Sequence, residues 1–252
     1  MTVAAVVVTH EPDPWLGRCL SSLESQVDDL VVVRNRPLDL PAPSQRVVVL
    51  SNDRPAGLST NLNRGIAATT APWVVVANPD AVADPGAVET LLRFATSHPR
   101  AGVLGPRLRT SDSEWQPSRR RFPTVSGTVV RRTPLRHLLR PQERQRSHYL
   151  LDEEVRGPVA ADWMLGAFLL LRRAMLDELG GFDEGFRLYG EDIDLCYRAA
   201  RAGWERWYVP AATVVHRSSA VTDRRFLTRH TWWHMQSIAR FVRKHPESLR
   251  AL

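Results

Sequence analysis

Residues 3–9, Val-Ala-Ala-Val-Val-Val-Thr, form an apolar run with no polar alternation. Such a run fits a strand of a parallel sheet covered on both faces. Leu16, Leu20, Leu23 and Val27 then recur at helical spacing, and residues 30–33 and 47–50 are further strand-like runs. A helix is predicted over 61–68 and a strand over 73–77. Asp84-Pro85 is a helix start, with an N-cap aspartate and proline at the first helical position. Val88, Leu91, Leu92 and Ala95 supply that helix's apolar face, and 103–104 is a short strand. A β-α-β-α order with short links predicts an α/β fold, a parallel sheet flanked by helices. Ligands of such sheets bind beyond the carboxyl ends of the strands.

The rhythm breaks at 117–145, where Arg119, Arg120, Arg121, Arg131, Arg132, Arg136, Arg140 and Arg144 are interleaved with Pro123, Pro134 and Pro141. This is expected to be a long, basic, mobile excursion. A strand is predicted over 161–171, then an acidic helix, short strands at 206–209 and 213–215, and a final helix over 226–245 with Met235, Ile238, Phe241 and Val242 inward.

The chain has 252 residues, 43% hydrophobic, enough to bury a sizeable core. No stretch approaches the ~20 apolar residues of a membrane helix. The N-terminus lacks a basic leader segment and is expected to be a buried strand, not a signal peptide. Cys19 and Cys196 fall in amphipathic helical patterns and read as reduced core thiols of a cytoplasmic protein. Net charge is +7, and Lys244 is the only lysine among 34 basic residues. That balance suits nucleic acid, an anionic membrane surface or a phosphorylated small molecule. The absence of a zinc-finger or RNA-sheet signature speaks against nucleic acid.

Four places carry chemistry. In Gly190-Glu191-Asp192 an acidic pair opens a helix whose Ile193, Cys196, Tyr197 and Ala200 repeat on one face. The helix dipole favours an ionised carboxylate there, as a general base needs; a cap, with Asp194 paired to Arg198, is the alternative. Residues 73–80 are a strand ending in Asn78-Pro79-Asp80, where Asp80 is a hard-oxygen ligand for magnesium or manganese, or part of a plain turn. Val214-Val215-His216 delivers a histidine at a strand end. Gly57 to Asn63 turns into a helix whose first N–H groups either meet a diphosphate or form an ordinary cap.

Taken in order, these segments resemble the inverting family 2 glycosyltransferases of the GT-A fold, close to the rhamnosyltransferase-like members. The matching text is V-V-V-T-H-E at 6–11, A-G-L-S-T-N-L-N-R-G at 56–65, A-N-P-D at 77–80, G-P-R-L at 105–108 and Q-P-S-R-R-R-F-P-T at 116–124. It continues with D-W-M-L-G-A-F-L-L-L-R-R at 162–173, G-G-F-D-E-G-F-R-L-Y-G-E-D-I-D-L-C-Y-R at 180–198, A-G-W at 202–204, Y-V-P at 208–210 and V-V-H at 214–216.

The resemblance implies a mixed central sheet flanked by helices, with a C-terminal helical extension. It implies one domain over 1–252: a nucleotide-sugar half (1–110), the basic excursion (111–160), an acceptor and catalytic half (161–225) and the C-terminal helix (226–252). Asp80 and His216 are implied metal ligands for Mg2+ or Mn2+. Thr9, Glu11, Asn63, Asn78 and Asp80 are implied on the donor side, Asp192 as base beside Glu191, and Trp163 and Gly166 beside the acceptor. The implied reaction moves rhamnose from dTDP-rhamnose, or another sugar from a UDP-linked donor, to a saccharide or polyprenyl-linked acceptor. The arginine-rich excursion, Trp232-Trp233, and Arg240, Arg243 and Lys244 suit peripheral contact at the inner face of a membrane. Two segments depart from the family: Val33-Arg34-Asn35 where V-V-D-N is usual, and His10-Glu11 where a Tyr-Asn pair is usual. Both fall near the nucleotide pocket, so a catalytically inactive nucleotide-sugar-binding protein is the alternative reading.

Overall fold

The computed structural model describes residues 1–37, 47–122, 155–217 and 229–246. In chain order, the first part runs β1 (Val3–Thr9), α1 (Leu16–Glu24), β2 (Asp29–Arg34), β3 (Val47–Ser51), α2 (Leu58–Ala67), β4 (Trp73–Ala77), β5 (Ala81–Ala83), α3 (Ala87–Thr96) and β6 (Ala101–Arg109). Short strands β7 (Trp115–Gln116), β8 (Arg119–Arg120), β9 (Val159–Ala160) and β10 (Trp163–Met164) follow. The chain then forms β11 (Phe168–Arg172), α4 (Arg173–Leu179), α5 (Glu191–Arg201), β12 (Glu205–His216) and α6 (Arg229–Lys244).

The main sheet has the order β3-β2-β1-β4-β11-β6-β12-β5, with β7 on β6 and β9 on β12; β10 and β8 pair separately. Strand β1 runs parallel to β2 and β4. β11 is antiparallel to both β4 and β6, and β12 is parallel to β6. Strands β1, β2, β3, β4, β6 and β12 therefore all point their carboxyl ends to one edge, and Thr9, Arg34, Ala77 and His216 share it.

The pleat divides β1 between two cores. Val3, Ala5 and Val7 face the layer of α1 and α3, whereas Val6 faces that of α2, α4 and α5. Helix α2 lies so close that a Cβ on Gly65 would run into Val6 Cγ1. Helix α5 is covered on two sides: Leu195, Cys196 and Ala199 pack on the sheet layer, while Tyr197 packs with Phe186 and Phe241 of α6.

Several expectations change. The sheet is mixed, as the resemblance implies and unlike the parallel sheet read from the strand–helix order alone, because β11 enters against its neighbours. The run 161–171 is split at Leu165–Ala167, where the Leu165 N–H goes to Ser118 O (2.9 Å) and the Gly166 N–H leaves the ladder for the Asp192 carboxylate (3.0 Å). The two short strands near Pro210 are one strand, β12, with a register shift between Val209 and Thr213. Asp84 does not cap α3: Gly86, at φ 79°, holds the N-cap position, and the Asp84 carboxylate pairs with Arg109 at 2.6 Å. Met235 is not inward but 46% exposed, whereas Phe241 is buried. Most of the basic excursion, 123–154, lies outside the described residues, as do 226–228.

Candidate active site

Asp80 follows β4 and His216 ends β12, and sheet pairing brings them together. His216 is in register with Ala81 of β5, and the Arg217 N–H donates to Asp80 O at 3.2 Å. His216 Nε2 lies 3.4 Å from Asp80 Oδ1 and 3.4 Å from Asn78 Nδ2. Its other nitrogen, Nδ1, is 3.0 Å from Gln116 Oε1, which fixes the ring's orientation. Burial alone would push the Asp80 carboxyl up; the hydrogen bond and charge of His216, with help from Arg217, outweigh it and hold the carboxyl below its usual range. Arg217 also pairs with Asp13 at 3.1 Å, tying the loop after β1 to the end of β12.

Asp192 belongs to a second cluster, one turn away. Its Oδ2 accepts the Gly166 N–H at 3.0 Å and its Oδ1 accepts the Ile193 N–H at 2.8 Å. The next residue, Ala167, accepts the Asn78 N–H at 2.9 Å. The turn 165–167 thus touches Asp192 on one side and the Asn78–Asp80 segment on the other. A Cβ at position 166 would stand 3.3 Å from Asp192 Cβ and 3.4 Å from its Oδ2, so the close approach uses glycine. The turn into α5 carries two successive left-handed residues, Tyr189 (φ 69°) and Gly190 (φ 85°).

Glu191 and Asp192 are both buried. Burial and then the neighbouring Asp192 charge push the Glu191 carboxyl up to about 8, and burial likewise raises Asp192. The expected dipole-held pair is therefore incomplete as a description: desolvation opposes the dipole for both groups. The pair is still asymmetric. Asp192 receives two N–H donors and the field of Arg120, whereas Glu191 Oε2 has no hydrogen-bond partner among the described residues. We therefore place the pair's negative charge on Asp192 and its proton on Glu191. A folded pKa raised from 4.5 to about 8 contributes stability that is complete below the unfolded value and is lost as pH rises to about 8. Melting curves across that window should show Glu191→Gln losing much of this pH dependence and gaining stability over the parent near pH 8. An unchanged slope would mean Glu191 is ionised throughout.

Thr9 is fully buried and its hydroxyl donates to Glu11 O at 3.1 Å, while the Glu11 side chain is exposed. Both ends of the Asn63 amide are taken: Oδ1 by the Phe182 N–H (2.8 Å), and Nδ2 by Phe182 O (2.8 Å) and Glu184 Oε1 (3.1 Å). The start of α2 is closed by its own chain, since the Leu58 N–H meets Arg187 O at 2.7 Å and the Ser59 hydroxyl meets Phe186 O at 2.9 Å. No side chain caps the helix, whose N-cap position is Gly57. Trp163 is only 4% exposed; its Nε1 donates to Arg121 O at 2.6 Å and the Arg120 guanidinium lies 5.2 Å from its ring centre. Arg34 donates to the Ser51 hydroxyl (2.9 and 2.6 Å) on the neighbouring strand.

Three groups were not singled out from the sequence. Gln116 orients His216, Arg120 stands beside Asp192, and an asparagine network closes the edge of β1–β3. In that network Asn35 meets His10 Nδ1 (2.9 Å) and Asn52 (2.9 Å), and Asn52 meets Asn61 (2.6 Å). Gln116 and Arg120 lie inside the quoted Q-P-S-R-R-R motif, which was the available signal.

The family match and the structural likenesses together make this chain a glycosyltransferase of the GT-A fold. The chain belongs to the family described as Glycosyltransferase like family 2, which matches residues 2–236. It is 36% identical over 246 residues to the N-acetylglucosaminyl-diphospho-decaprenol L-rhamnosyltransferase of Mycobacterium tuberculosis (strain ATCC 25618 / H37Rv), covering 87% of this chain and 77% of that protein. Rhamnosyltransferase WbbL of Escherichia coli (strain K12) is 36% identical over 90 residues, 36% of this chain and 34% of that one. Among solved structures, GalNAc-T7 with UDP, GalNAc and Mn2+ superposes with TM-score 0.63 at 17% identity, over 85% of this chain and 43% of that chain. Mannosyltransferase PcManGT from Pyrobaculum calidifontis in complex with GDP-Man and Mn2+ superposes with TM-score 0.61 at 16% identity, over 96% of this chain and 64% of that one. The chain thus spans less than two thirds of either solved structure's length.

Proposed function

We propose that this chain transfers L-rhamnose from dTDP-rhamnose, with inversion, to a hydroxyl of a saccharide carried on a polyprenyl diphosphate. The supporting observation is the contact of turn 165–167 with both Asp192 and the Asn78–Asp80 segment, which sets a base beside a diphosphate-binding edge. The mycobacterial relative's name supplies the sugar and the acceptor class. We take residues 1–110 as the donor half and 161–225 as the acceptor and catalytic half, with 111–160 and 226–252 completing one domain.

The residues fit a divalent metal of the Mg2+ or Mn2+ kind. His216 Nε2 and Asp80 Oδ1 stand 3.4 Å apart, with Nδ1 turned to Gln116. A carboxylate oxygen and a ring nitrogen set side by side at the strand ends would hold such a cation. No group of three or more His, Cys, Asp or Glu side chains suited to a metal occurs among the described residues. That matches ions held by one or two protein groups plus substrate phosphates. When bound, the metal supplies Lewis-acid stabilisation of the departing diphosphate.

Asp192 accepts the proton of the acceptor hydroxyl. The acceptor oxygen attacks the anomeric carbon, the bond from that carbon to the diphosphate oxygen breaks, and the single displacement inverts the centre. The Gly166 N–H holds the base in place, and protonated Glu191 keeps a second negative charge out of the pocket. Glu11, Asn78 and Asp80 act on the donor, Thr9 and Asn63 hold the loops around it, and Trp163 with Gly166 backs the acceptor site.

No helix among the described residues is long and apolar enough to cross a membrane. Peripheral contact is favoured by the outer face of α6, where Trp232 and Met235 are 65% and 46% exposed and Arg243 lies on the same side, whereas Arg240 and Lys244, also expected at that surface, are committed to Asp183 and Asp194. An amphipathic surface of that kind suits an anionic membrane, which supports the reading of a lipid-linked acceptor.

A thermal-shift panel of dTDP, UDP and GDP, each with manganese and with EDTA, tests the donor assignment. A metal-dependent rise with dTDP is expected. A preferential rise with UDP or GDP would reassign the donor, and a flat panel would refute a working nucleotide site.

A further inference from the structure

Resting on that reading, we infer that Lys244 is a positioning residue for the catalytic turn, holding Glu191 and Asp192 from behind by bridging Asp183 and Asp194. Its Nζ lies 2.6 Å from Asp183 Oδ2 and 2.8 Å from Asp194 Oδ1. Asp183 precedes the left-handed Tyr189-Gly190 turn and Asp194 follows it. The ammonium therefore closes a bracket around the strained segment that delivers Asp192. Such backbone conformations persist where surrounding contacts over-determine them. Helix α6 supplies those contacts: the Ser237 hydroxyl meets Leu188 O at 3.1 Å, and a Cβ on Gly190 would touch Ser237 Cβ at 3.4 Å.

Charge neutralisation alone does not account for this lysine. Asp194 is fully buried, but it already pairs with Arg198 (2.7 Å) in its own helix and with His245 (2.8 Å). Asp183 already pairs with Arg240 at 2.7 Å. Among the described ion pairs, Lys244 is the cation that reaches both carboxylates. An ammonium presents three rotatable donors from a compact charge and fits between two carboxylates, whereas a guanidinium fork is planar and suits one. The chain's single lysine stands where that difference matters. The described contacts of α6 run to the 183–197 segment, whereas Asp80 and His216 are held by β4, β12 and Gln116. The bracket should thus serve the base and leave the donor edge alone.

The test uses Lys244→Met and Lys244→Arg in the full chain. For Lys244→Met, kcat should fall ~10–100-fold, as for a misplaced catalytic group. Donor KM and the nucleotide-induced melting shift should stay at the parent values. Amide exchange over 186–195 should rise. Lys244→Arg should recover part of both effects. Parent-level kcat in Lys244→Met, or a loss shared equally by kcat and donor binding, would overturn the inference. If the parent protein itself transfers no sugar, the transferase reading fails separately. Exchange over 186–195 then decides the bracket alone: raised exchange supports it, and unchanged exchange removes it.

Discussion

Asp192→Asn should cut transfer by ~10²–10⁴-fold while leaving metal-dependent nucleotide binding at the parent level, the usual range for loss of a general base. The asparagine is close in shape and its oxygen can still accept the Gly166 N–H, with the Ile193 N–H contact given up in exchange, so turn 165–167 should keep its place. What disappears is the capacity to take a proton. The substitution also removes the neighbouring charge that helps push Glu191 up. The Glu191 carboxyl should therefore titrate lower in the variant, so the stability lost as pH rises should stop at a lower pH and be smaller in total. Single-turnover rates with saturating donor, together with nucleotide binding, check the first part. Loss of nucleotide binding in step with rate would make Asp192 a structural or substrate-holding group.

Asp80→Ala should lower kcat/KM by ~10²-fold or more, since metal stabilisation of a leaving diphosphate is worth several kcal/mol and each ~1.4 kcal/mol is a factor of ten. The strand end should survive, because Arg217 bonds to the Asp80 backbone carbonyl and not to its side chain. The variant should therefore melt near the parent temperature in EDTA, yet show no extra nucleotide stabilisation when manganese is added. Metal-dependent binding equal to the parent would take Asp80 out of the metal site and leave His216 without its proposed function.

The elements that announced themselves were those whose residues face one environment along their whole length. Strands β1 and β4 are buried on both faces, so their valine runs are unbroken; α1 and α3 each have one wet face, so their leucines repeat. Two-residue strands such as β7 and β8 have no periodicity to show, and their pairing is decided by chain many residues away. The antiparallel entry of β11 was equally silent, because Phe168–Arg172 has the same apolar text in either direction. Asp80, His216 and Asp192 were legible as motifs, but their relation was not: it depends on a turn at 165–167 that a continuous apolar run hides. Asn63 shows the converse. Its motif suggested a nucleotide contact, whereas its amide is committed to Phe182 and Glu184, partners 119 and 121 residues away.

The proposed reaction is inverting sugar transfer. Its most direct measurement incubates the protein with dTDP-L-rhamnose, Mg2+ or Mn2+, and a short-chain polyprenyl-diphosphate N-acetylglucosamine, then reads the product's mass and anomeric configuration by mass spectrometry and NMR. A rhamnosylated product is expected, its anomeric centre opposite to that of the donor, and absent with Asp192→Asn. A product with retained configuration, or tight dTDP binding with no product from any saccharide acceptor, would contradict it.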